Sequence, residues 1–179
     1  MNKVILFFAA LLFCFNLSAQ KYSDSTFVIG EGHVGKVLIN MDEKKLSSLY
    51  EPSQIKADKK SAEGDEYAVI NITLPGESKT GIEIETMCMD ICLVSRITVY
   101  SPKYKTVKGI SVGSNVSDLK KSYTISSVIG GEKGIMIYIE EIPQTAFVVD
   151  VPKIKASAGK TINIAEIPDL TKIQWVYMY

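Results

Sequence analysis

The sequence predicts an α+β fold made of two tandem copies of a short helix followed by a three- or four-stranded antiparallel meander. Three observations carry this expectation. Segments 37–50 and 110–123 superpose at an offset of 73 residues, which places Val37 on Ile110, Ile39 on Val112, Leu46 on Leu119 and Tyr50 on Tyr123. Each segment is followed by short, β-branched, apolar-rich stretches separated by turn residues. Helices and strands do not alternate, so strands joined by turns this short run antiparallel rather than through helical crossovers. The expected organisation is a signal peptide over 1–19, a first repeat over 20–100 and a second over 101–179.

The N-terminus reads as a secretory signal. Lys3 supplies the positive region, Val4 to Phe15 the apolar one, and Leu17-Ser18-Ala19 a small residue at the cleavage position. The apolar run is shorter than the roughly 18–20 residues that cross a bilayer as a helix. Cys14 follows Phe13, unlike the Leu-small-small-Cys of lipoprotein signals, so it leaves with the signal. The expected product keeps 160 residues, with 19 Lys+Arg against 20 Asp+Glu and the two cysteines Cys88 and Cys92. An even pair in an oxidising compartment favours a disulfide. The product is expected to be secreted or periplasmic, with no later run long enough to span a membrane.

In the first copy, residues 41–50 read as a helix with Leu46, Leu49 and Tyr50 on one face, and Asn40 with Glu43 resembles a capping box. Strands are expected over 67–74, which ends at the turn Pro75-Gly76, then over 81–89 and 93–100. In the second copy, residues 114–123 place Val116, Leu119 and Tyr123 on one helical face, with Asn115 and Asp118 in the N-cap-to-N3 spacing. Strands over 134–139, 145–151 and 172–179 follow, and 54–57 and 124–129 each offer a further strand.

Composition excludes several functions. Lys+Arg and Asp+Glu are equal at 20 each and Arg96 is the only arginine, so the basic excess of a nucleic-acid binder is absent. A content of 46% hydrophobic and 22% charged residues describes a chain that builds a core rather than a disordered one.

Gly30-Glu31-Gly32-His33-Val34-Gly35 is a literal G-x-G-x-x-G, but the extended stretch 36–40 follows it where a nucleotide fold opens a helix. The glycines are therefore read as turn formers. His33 is the only histidine; a metal or nucleophile set would need partners that the sequence does not locate, and a single histidine in a Gly-rich loop reads as a surface residue. Met87-Cys88-Met89-Asp90-Ile91-Cys92 is read as a disulfide-tied hairpin, with a Cu(I) site of Met87, Cys88, Met89 and Cys92 as the alternative. Lys103, Tyr104, Lys105 and Lys108 form a small basic loop, and Glu140-Glu141 alternate faces too closely to work as a paired acid and base.

Gly109-Ile110-Ser111-Val112-Gly113-Ser114, with Asp118, Leu119 and Tyr123, resembles the lead-in of the β-lactamase inhibitor protein family and the related outer-membrane assembly lipoproteins. The resemblance covers most of 27–179 in element order and implies helix-plus-sheet repeats. The expected function is a secreted or periplasmic non-enzymatic protein-interaction module whose partner is an envelope or extracellular protein. Its interaction residues would be Lys103, Tyr104, Lys105 and Lys108, with the aromatic anchors Trp175 and Tyr177 on the last strand. The alternative is a small-ligand or copper-binding protein of the periplasm. No catalytic constellation is recognisable and no cofactor is expected. N-terminal sequencing of the exported protein should begin at Gln20; a product that retains Met1 would remove the signal reading.

Overall fold

The computed structural model describes residues 25–62, 65–154 and 157–179, so the predicted signal segment lies outside the described residues. After a 3-10 turn at Ser25–Phe27 come β1 (Val28–Gly30), β2 (His33–Val34) and β3 (Val37–Leu38), paired antiparallel in succession. The glycine string belongs to these turns. Gly35 has φ +56°, and a Cβ there would lie 2.5 Å from the Thr26 carbonyl oxygen. A Cβ on Gly30 would collide with the His33 ring. The backbone thus needs glycine for close approach within a small sheet, and no helix opens from the motif.

The first predicted helix shrinks to a 3-10 turn at Glu43–Lys45 and one turn of α1 (Leu46–Leu49). Its cap is Asp42, whose carboxylate accepts from Lys44 N at 2.9 Å. Asn40 instead adopts a left-handed conformation with φ 64°. The Ser47 and Ser48 hydroxyls donate to the carbonyls of Lys44 and Lys45. Glu51 precedes Pro52, a position that disfavours helical backbone, and the chain turns out of the helix there.

Four antiparallel strands follow: β4 (Ile55–Ala62), β5 (Asp65–Thr73), β6 (Thr80–Cys88) and β7 (Cys92–Val99). Next, β8 (Lys105–Thr106) runs parallel to β1 and completes a four-stranded sheet. Then α2 (Val116–Ser122) supplies the one helix of 7 residues, and Asp118 accepts from its N-cap Asn115 N at 3.3 Å. The last strands are β9 (Ile125–Gly131), β10 (Gly134–Ile139), β11 (Thr145–Val149) and β12 (Ile173–Met178). They join the earlier four in one eight-stranded sheet ordered β4-β5-β6-β7-β12-β11-β10-β9.

The fold is therefore mostly β, with twelve strands in two sheets among the described residues, and the predicted α+β pair of helix-plus-meander repeats is incorrect. The apolar spacings at Leu46/Leu49/Tyr50 and Val116/Leu119/Tyr123 are real, but each spans only one or two turns. Segments so short cannot form a helical layer, because helix formation on that length depends wholly on neighbouring packing. They contribute side chains to a core that the large sheet dominates.

That core covers one sheet face. Strict alternation sends Ile82 and Ile84, Ile97 and Val99, Val176 and Met178, and Ile135, Ile137 and Ile139 inward. The small sheet adds Ile29, Val34 and Val37, and the helices add Leu46, Val116 and Leu119 to the same cluster. Both sheet edges are protected. The edge strand β4 carries Lys56, Asp58, Lys59 and Lys60, while 159–162 covers β9 through bonds such as Ile162 N to Val128 O and Gly130 N to Lys160 O.

Phe147 is fully buried at the centre of β11. Phe147→Ala should lower unfolding stability by about 3–5 kcal/mol, and Gly35→Ala by roughly 1–3 kcal/mol, both read from urea midpoints.

Candidate functional site

The sheet face turned away from the core carries residues that the same alternation sends outward. Register places Glu85 opposite Arg96, Glu83 opposite Thr98, and Thr98 opposite Tyr177. Lys60 and Tyr67 lie opposite each other on β4 and β5. These side chains, with Tyr100 and Trp175, line a groove of about 120 Å³. Lys133, from the turn between β9 and β10, closes one side.

The charges in the groove are paired internally. Arg96 donates through Nε and Nη2 to the Glu85 carboxylate, with Nε to Oε1 at 2.9 Å and Nη2 to Oε2 at 2.6 Å. Its guanidinium also sits 5.5 Å from the Tyr177 ring centroid. Lys60 Nζ donates to Glu83 Oε1 at 2.6 Å, and Glu83 is only 5% exposed. Burial would lower the Lys60 pKa, but the bond to Glu83 and nearby negative potential outweigh it and raise it. Burial, with the Glu83 charge adding to it, pushes the Tyr100 phenol up. Trp175 packs edge-on against Tyr177 with centroids 6.3 Å apart. Its indole Nε1 is buried with no acceptor among the described residues.

Of the residues singled out from the sequence, Trp175 and Tyr177 meet in this groove. The basic loop does not join them. Tyr104 is 1% exposed, packs edge-on to Phe27 and bonds Tyr50, and burial pushes its phenol up. Lys103 Nζ is held by the Pro75 carbonyl at 2.8 Å and lies 3.6 Å from Glu77. Lys108 Nζ donates to the Ser122 carbonyl and to Glu141, over the Tyr123 ring. Lys105 is exposed in β8. Two of the three lysines thus tie the loop to its neighbours and the tyrosine belongs to the core, so the four do not form one docking patch. His33 is half-buried in β2, with Nδ1 3.1 Å from the Glu31 carbonyl oxygen.

A second surface lies at the tip of the β6–β7 hairpin. Cys88 and Cys92 face each other in register and form a disulfide, with Cα atoms 4.0 Å apart. Both sulfurs are therefore unavailable as thiolates. Met87 pairs with Leu93 one step along the strands, so it points to the opposite face from Cys88. The four sulfurs of the copper alternative thus do not converge. The Glu43 carboxylate lies within 4.8 Å of the two cysteine sulfurs. Met87, Met89 and Ile91 stand 66%, 88% and 55% exposed. With Ile39, Leu93 and Tyr179 they border a mostly apolar groove of about 450 Å³.

The groove residues Lys60, Tyr67, Glu83, Glu85, Thr98 and Tyr100 were not singled out from the sequence. Apart from Lys60 on β4, their sequence signal is the alternation of polar or aromatic with apolar residues along β5, β6 and β7.

No family model and no curated protein matches this chain. Its fold is similar to the crystal structure of the uncharacterized protein YfeY from Escherichia coli, with a TM-score of 0.60 and 13% identity over 84% of this chain and 97% of that one. This likeness concerns the fold and carries no function.

Two outcomes follow from these contacts. The raised Lys60 pKa means that its stabilisation is complete below the unfolded lysine pKa near ~10.4 and is lost as pH rises through the folded value. Lys60→Met should therefore lower the urea midpoint at pH 7, and its difference from wild type should shrink above pH ~10.5. Reducing the Cys88–Cys92 bond should cost about 2 kcal/mol or less, because the loop it closes is so short. The far-ultraviolet circular dichroism should keep its β signature.

Proposed function

We propose that this chain is an extracytoplasmic, non-enzymatic protein-interaction module that docks an apolar segment of a partner protein on the tip of its β6–β7 hairpin. The observation that carries the reading is the exposure of Met87, Met89 and Ile91 on a hairpin whose ends are tied by a disulfide. Holding three large apolar side chains in water is unfavourable, and contiguous patches of this kind mark interaction sites. Pre-ordering by the disulfide reduces the entropy lost on binding, and methionine adapts its shape to the surface it meets.

A protein partner fits better than a lipid surface. Asp90 sits at the apex between Met89 and Ile91, and none of the residues bordering the groove is a lysine or arginine that would favour anionic headgroups. The disulfide and the signal-like N-terminus support an oxidising compartment. Among the described residues, no helix is long and apolar enough to cross a membrane.

The test is quantitative cross-linking in the native envelope, comparing wild type with a Met87→Ser, Met89→Ser, Ile91→Ser variant. A defined protein should be captured by wild type and lost at least tenfold from the variant, as expected when apolar anchors dominate binding. Capture that ignores the substitutions, or liposome binding that depends on them, would overturn the reading.

A further inference from the structure

We infer that the groove on the outer face of the large sheet binds an uncharged sugar ring, presented singly or within an oligosaccharide. The inference is independent of the hairpin tip, which lies on a different surface.

The groove is amphipathic in a specific way. Tyr67 from β5, Trp175 and Tyr177 from β12, and Tyr100 just after β7 all line it. The electron-rich face of an aromatic ring attracts the weakly positive C–H face of a pyranose. At about 120 Å³ the recess is on the scale of one small ring, open enough for a chain to continue outward.

Charge decides which ring. Each carboxylate in the groove already holds a cation, Glu83 through Lys60 and Glu85 through Arg96. A cationic occupant would have to displace one of them, and an anionic one would meet the two carboxylates. The paired ions instead form a fixed polar frame whose remaining lone pairs and N–H groups suit hydroxyls, which both donate and accept. The phenol hydroxyls of Tyr67, Tyr100 and Tyr177 form no hydrogen bond among the described residues. A neutral polyol ring with one apolar face meets all of these features together.

Trp175 is the only tryptophan of the chain, so its emission reports this groove alone. The test titrates the full exported protein with neutral hexaoses of glucose and of N-acetylglucosamine. Oligogalacturonate, oligolysine and a neutral hydrophilic peptide serve as comparisons. The expected result is a saturable change in Trp175 emission with a neutral hexaose, weakened at least tenfold in both Tyr100→Ala and Tyr67→Ala and unchanged in Met89→Ser. Tyr100 is 36% exposed, so its removal leaves the core intact, and circular dichroism checks that each variant is folded. The inference is overturned if neither hexaose changes the emission up to roughly 10 mM, beyond the millimolar end of the affinity scale. It is equally overturned if a charged oligomer or the peptide binds more tightly, or if both tyrosine variants bind as wild type does.

Discussion

Pairing of β7 with β12 is the contact on which the rest of the structure depends. Val99 opposite Val176, Thr98 opposite Tyr177 and Ile97 opposite Met178 join strands from the two halves of the chain into one sheet. Three residue pairs also fix the facing of everything beyond them, because a slip of one residue would exchange the buried and outward sets on every strand of one half. In the observed register Val176 and Met178 meet Ile97 and Val99 in the core. The same register brings Tyr177 beside Thr98 and within reach of Arg96 on the other face. Core and groove are two consequences of one alignment.

The outer face shows how a sheet keeps charge close to its surface without exposing a strong field. Arg96 and Glu85 are directly opposed, and the Lys60–Glu83 pair spans two strands. Pairs of this kind add little on an open surface. Here one member of each is largely covered, so the second member becomes structurally required and its orientation is fixed. The result is a set of polar groups held in place between aromatic rings. The hairpin tip uses a different device, since the Cys88–Cys92 bond ties a turn whose apolar side chains stay largely exposed.

Much of the strand pattern was legible in the sequence. Alternation located β5, β6, β7, β10 and β12 close to their observed limits, because a period of two survives in the residue order, while β11, buried on both faces, was found from its continuous run of apolar and β-branched residues. The strand β4 was scarcely visible beyond Ile55, since its remaining residues, Lys56–Lys60 among them, make an edge whose pairing depends on backbone bonds rather than burial. The helices were overestimated for the opposite reason. Three apolar residues at helical spacing cannot distinguish one packed turn from a longer amphipathic helix when the bounding signals, Asp42 and Pro52, are themselves compatible with either. The glycine string likewise matched a nucleotide motif in letters and serves a tight turn in space, where Gly35 meets the Thr26 carbonyl.

The sequence alone indicated antiparallel strands, favoured a Cys88–Cys92 disulfide over a copper site, and placed Trp175 and Tyr177 on one strand face. Each of these rests on local spacing, which the covalent chain carries within itself. Only the tertiary structure decided that one sheet replaces two helix-covered units, that Tyr104 is buried while Lys103 and Lys108 are held by neighbours, and that Lys60, Glu83 and Arg96 meet the aromatic pair. Those facts depend on which strands join one sheet, so that Lys60 and Trp175, more than a hundred residues apart in the chain, line one groove. No spacing between neighbours in the sequence encodes that distance, because it is set by the β7–β12 pairing.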